Sequence, residues 1–173
     1  MTDEFLPFGS APYFVFLAVS LFSRGMDFLS TWVATPNLIL EGNPIAKRMG
    51  WRGGILFNLF FCAGVSIWPL PAIMISSMSL LVAAHNFQSA WMMRSMGEVN
   101  YAIFIHDRMR TCPPWLFVVC IGAQSAVTAL VGVGLMFFSD MRSIPFAIGS
   151  GVASYAVALL WFNLLSIWRI RRS

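Results

Sequence analysis

An all-α membrane protein with about five transmembrane helices is the fold class this sequence predicts, and three observations predict it. Of its 173 residues, 58% are hydrophobic and only 10% charged. A soluble domain carries about 25% charged residues to face water, so lipid must solvate much of this surface. The mean hydropathy of +0.75 is concentrated in apolar runs punctuated by proline, glycine and charge. Finally, the lysines and arginines fall after the first, third and fifth runs, which makes the count of five self-consistent. The chain reads as a single helical membrane domain over residues 1–173.

The first run, "PYFVFLAVSLFSRGMDFLSTWVA" at 12–34, is long enough to cross a bilayer and is ended by "TPN". The second, near 53–68, is stopped by "PLP" and barely reaches the length of about 20 residues that a crossing needs. A four-helix alternative would make it re-entrant or bury it. The remaining runs, near 72–93, 114–138 and 144–168, are all long enough. Between the first two, "NPIAKRMGW" has Asn43 as an N-cap, Pro44 at the first helical position and Gly50 as a stop, which predicts a short interfacial helix. "GEVNYAIFIHDRMRTCP" mixes apolar residues with Arg108 and Arg110, and predicts a loop or short amphipathic helix on the membrane surface.

Lys47, Arg48 and Arg52 follow the first run, Arg94, Arg108 and Arg110 the third, and Arg169, Arg171 and Arg172 the fifth; only Arg142 lies in a loop opposite. The positive-inside rule then puts the amino terminus outside and the carboxyl terminus in the cytoplasm. The net charge of +4 belongs to these loops, and no nucleic-acid-binding motif accompanies it. The acidic start "MTDEFLPFGS" lacks the basic region of a cleavable signal peptide. Cys62, Cys112 and Cys120 form no CxxC pair or metal-ligand spacing, so they read as reduced packing residues.

The first helix poses the chemical question. Ser20, Arg24, Asp27 and Thr31 recur at helical spacing and share one face, and lipid cannot satisfy such a stripe. Arg24 and Asp27, at i and i+3, can pair with one another. At 1.5 Å per residue, Asp27 lies about 22 Å in from Pro12, His85 about 21 Å in from Pro71, and Asn58 about 7 Å from the opposite boundary at Gly53. Arg24, Asp27, Thr31, Asn58, His85 and Asn86 are therefore the candidate polar intramembrane site, in the cytoplasmic half. Gln88 and Ser89 extend the His85 face. The layer either fixes helix packing or works as a proton relay, cation site or acid–base pair through Asp27 and His85.

Neither a cofactor nor a metal is expected. Asp27 and His85 are too few ligands, and a bis-histidine haem would need His106, which falls in a surface stretch. No nucleophile elbow, zinc motif or phosphate loop occurs. The small residues of "GSGVAS" at 149–154 and of "GVGLMFF" serve close helix packing.

Asp27, Ser30 and Thr31, followed by Glu41, Asn43 and Pro44, make the most distinctive pattern. It resembles the signature D-x-x-[ST]-T … E-x-N-P of an uncharacterised family of small prokaryotic polytopic membrane proteins. The resemblance implies a fold type and a functional patch, with no activity to carry over, and suits a prokaryotic cytoplasmic (inner) membrane. It makes Glu41 and Asn43 a candidate cytoplasmic-side patch. Glu41 either pairs with Lys47 or Arg48 at the surface or reaches toward the mouth of an Asp27 cavity.

Two functions fit. One is an integral accessory or structural subunit of a larger membrane assembly, with membrane-protein partners or further copies of itself within the bilayer. The other is a stand-alone small ion- or proton-coupled transporter, or an intramembrane enzyme, using Asp27 and His85. The absence of any catalytic motif puts the first ahead.

Overall fold

The computed structural model describes residues 5–172, and no strand occurs among them. The helices are α1 (Ala11–Ala34), α2 (Pro44–Val65), α3 (Pro69–Met96), α4 (Glu98–Thr111), α5 (Pro114–Phe137) and α6 (Ile144–Arg172). Four of them, α1, α3, α5 and α6, are long and apolar enough to cross a membrane.

Helix ends follow local chemistry. Ser10 caps α1 by accepting from the Tyr13 amide at 3.3 Å, and α1 stops at Ala34, before Thr35 and Pro36, where the residue preceding proline leaves the helical region. Asn43 caps α2 through the Ile45 amide at 3.0 Å. Gly50, at φ 64° and ψ −173°, then breaks α2 into a short helix and a longer arm, a conformation that glycine adopts without steric penalty. The short helix expected over 43–50 is thus present.

Several boundaries differ from the sequence expectation. The arm runs over 51–65 and turns at 66–68, so it is about 22 Å long. α3 begins at Pro69 rather than 72, because prolines in a first turn forfeit only amides that would be unpaired anyway. It runs on to Met96, until Gly97 at φ 79° ends it. The stretch expected as a loop or short amphipathic helix is a true helix, α4. α6 extends beyond 168 into its basic tail.

Helix directions can be read from cross-helix partners. Arg24 meets Ser79, Thr31 meets Asn86 and Thr35 meets Glu98, so α1 and α3 run parallel. The α2 arm runs antiparallel to α1: the Trp51 indole donates to the Pro36 carbonyl at one end, and the Leu6 amide to the Ile67 carbonyl at the other. Tyr13, buried at the start of α1, donates its hydroxyl to Ala63 at 3.2 Å. α6 is parallel to α3, with Gly151 against Met74 and Ser77 near the starts of both. α5 is antiparallel to α6, because Gly132 faces Gly149 and Ala153. At the far end, Arg171 donates to the Met109 and Cys112 carbonyls that close α4. Lys47, Arg48, Arg52, Arg94, Arg108, Arg110, Arg169 and Arg171 therefore share one end of the bundle, with Arg142 at the other.

Small residues permit this packing. A Cβ on Gly132 would come within 2.7 Å of the Gly149 carbonyl, and one on Gly151 would collide with the Met74 carbonyl. Gly151→Leu is therefore expected to cost about 1–3 kcal/mol by overpacking, read as a lower unfolding midpoint in mild detergent. Gly122→Leu, whose Cβ would meet nothing within 4 Å, is the control expected to leave that midpoint in place.

Candidate functional site

Arg24 is the hub of the polar layer. Its Nη1 donates to Asp27 Oδ2 at 2.8 Å and to Ser79 Oγ at 3.2 Å, while Nε donates to Asn58 Oδ1 at 2.7 Å. Asn58 in turn donates to the Gly54 carbonyl at 2.8 Å. One side chain thus joins α1, α2 and α3. The i, i+3 spacing sets the ion pair, and it is the only one among the described residues. Such a pair cancels its own charge, which lowers the cost of placing either member in an apolar bundle.

Two helical turns further along, Asn86 donates to Ser30 Oγ at 3.3 Å and Thr31 Oγ1 at 3.4 Å. Ser30 itself donates to the Asp27 carbonyl at 2.8 Å. In the other direction Ser20 is buried with its hydroxyl unpartnered. Arg24, Asp27, Asn58, Thr31 and Asn86 therefore form one chain of contacts down the α1–α3 seam.

His85 is not among them. Adjacent residues on a helix diverge by about 100°, so with Asn86 bonded to α1, His85 is turned away from that contact by about that angle. His85 shares its face with Met74, about three turns back, and Met74 packs on Gly151 of α6. It is half-buried and makes no hydrogen bond among the described residues. No hydrogen bond or ion pair joins His85 to Asp27 among the described residues. Gln88 is exposed, and Ser89 donates to the Asn86 carbonyl at 3.5 Å.

Glu41 and Asn43 bond to one another, and the Glu41 carboxylate also lies within electrostatic reach of Asp27. Glu41 Oε1 accepts from the Asn43 amide at 2.7 Å, which folds the carboxylate onto its own turn. It makes no ion pair with Lys47 or Arg48, and Lys47 donates instead to the Ile39 carbonyl at 3.4 Å. No group of three or more metal-ligating side chains occurs among the described residues.

The most densely bonded carboxylate is one that sequence reasoning missed. Glu98 opens α4 and is 9% exposed. Its Oε2 accepts from the Thr35 hydroxyl at 2.6 Å and the Ile39 amide at 3.1 Å; its Oε1 accepts from the Asn37 amide and the Asn37 carboxamide, both at 2.9 Å. Leu38, at φ 56°, takes the left-handed conformation that turns the Asn37 and Ile39 amides the same way. Burial alone would push the Glu98 carboxyl up, but the bonds from Thr35, Asn37 and Ile39 outweigh it and hold the group below its ordinary value. The only sequence signal is an acidic residue directly after the helix-ending Gly97. Its donors lie about 60 residues upstream.

No family model, curated protein or solved structure matches this chain.

Proposed function

We propose that the protein is an integral membrane accessory or structural subunit of a larger membrane assembly, crossing a prokaryotic cytoplasmic membrane five times. Parallel α1 and α3 support the count, since two parallel crossings need a return between them and α2 follows that path. The gathering of basic residues at one end of the bundle supports an amino terminus outside and a carboxyl terminus in the cytoplasm. Arg24 serves as a joint: its charge is neutralised by Asp27, and its remaining bonds hold helices together. A transporter or intramembrane enzyme built on Asp27 and His85 draws less support, because no hydrogen bond or ion pair joins those two side chains among the described residues.

One observation carries the subunit reading. Gln124 is exposed on α5, about 15 Å in from Pro114 at 1.5 Å per residue. That is the middle of a hydrocarbon core roughly 30 Å thick. Its carboxamide has no hydrogen-bond partner among the described residues, and lipid offers none. A partner helix that meets it would contribute roughly 0.6–2 kcal/mol per interhelical bond.

The test is the native mass of the protein after gentle solubilisation of its own membrane, with co-purifying chains identified. A larger complex with stoichiometric partners is expected, and Gln124→Leu should shift the protein toward its free form without lowering its unfolding midpoint. A wild-type protein that runs as a monomer overturns the subunit reading. A homo-oligomer would replace foreign partners by further copies of this chain.

A further inference from the structure

An open groove of about 440 Å³ runs between α1 and the α2 arm, within the roughly 300–1,000 Å³ typical of small-molecule sites. Phe28 and Trp32 wall it from α1, and Trp51, Ile55 and Leu59 from α2; Arg24 and Asn58 supply its polar groups. The aromatic walls are held in place. The Trp51 indole is tied to the Pro36 carbonyl at 2.8 Å and packs edge-on to Phe28, 6.1 Å between ring centres. Trp32 lies under the Arg94 guanidinium at 5.9 Å.

The Arg24 guanidinium is only partly used. Nε and Nη1 serve Asn58, Asp27 and Ser79, whereas Nη2 has no partner among the described residues. The side chain is 26% exposed. In a hydrocarbon setting, an unpaired donor on a side chain that lines an apolar groove needs an acceptor. The Asp27 carboxylate already balances the charge, so a second anion would be repelled at close range. The complement is a neutral carbonyl oxygen. Flat aromatic walls favour a flat ring, and a laterally open apolar groove favours a long apolar tail.

We propose that this groove binds a lipid-soluble quinone, with a ring carbonyl accepting from Arg24 Nη2, the ring against Trp32 and Trp51, and the tail extending into the bilayer. The site is independent of the subunit reading: it needs α1 and α2 alone.

The experiment is photolabelling of the purified full-length protein in mild detergent with an azido-benzoquinone carrying a decyl tail. Labelled peptides would be mapped, with decyl-benzoquinone and dodecanoic acid as competitors. Label is expected on peptides carrying Trp32 and Trp51, displaced by the quinone and not by the acid. Gly25 lines the groove and has open space where a Cβ would stand. Gly25→Leu should fill the site and cut the labelling about tenfold without lowering the unfolding midpoint, which separates lost binding from lost folding. Label spread evenly over the exposed helix faces would overturn the proposal. So would equal displacement by dodecanoic acid, or wild-type labelling of Gly25→Leu.

Discussion

Arg24→Leu is expected to destabilise the protein by about 3–5 kcal/mol, because it leaves Asp27 as an uncompensated charge inside the bundle. Asn58 and Ser79 lose the bonds at 2.7 and 3.2 Å in the same step. Asp27→Asn should destabilise as well, because Arg24 keeps its charge and loses its counter-ion even though the carboxamide oxygen can still accept from Nη1. The informative variant is the double replacement Arg24→Leu with Asp27→Leu. Removing both members of a charge pair in favour of apolar groups is often neutral, so the double variant should regain most of the stability lost in Arg24→Leu. Reversible unfolding in mixed micelles of a mild detergent and dodecyl sulfate measures all three. If the double variant were no more stable than Arg24→Leu, Arg24 would matter for something other than its pairing with Asp27. That would remove the physical basis for calling it a joint.

Glu98→Gln should have the next largest effect. Each Glu98 oxygen accepts two bonds, and a carboxamide can present an oxygen to only one side. Its amino group would face two donors on the other. The loss is on the order of 1–3 kcal/mol, toward the lower end because this loop lies near solvent. Amide exchange at Asn37 and Ile39 should quicken, since their acceptor is weakened. Unchanged exchange at both would mean that the loop is held by something else.

The pH dependence has a definite sign. A carboxyl held below its ordinary value of 4.5 stabilises the fold fully above that value. The contribution is lost as pH falls through the lower value of the folded protein. The unfolding midpoint of the wild type should therefore drop on acidification below the ordinary glutamate range, and that part of the drop should be missing in Glu98→Gln.

Much of the bundle was legible in the sequence because its signals are local. The apolar runs, the capping by Asn43, the break at Gly50 and the pairing of Arg24 with Asp27 each depend on residues within about one helical turn. Depth along a helix was legible too, and it brought Asn58 level with Arg24. Azimuth was not. His85 and Asn86 have nearly the same depth, yet which of them meets α1 depends on how α3 is rotated. That rotation is decided by small residues on other helices, among them Gly151 against Met74.

What the sequence by itself determined is where helices form and that lipid must surround much of them, since transfer of apolar side chains is close to additive along the chain. Tertiary structure alone decided that Arg24 ties three helices and that Glu98 gathers the 35–39 loop. Each of those depends on hydrogen bonds between groups 34 to 63 residues apart. Such bonds have no periodicity to read, because their partners are brought together only when whole helices pack.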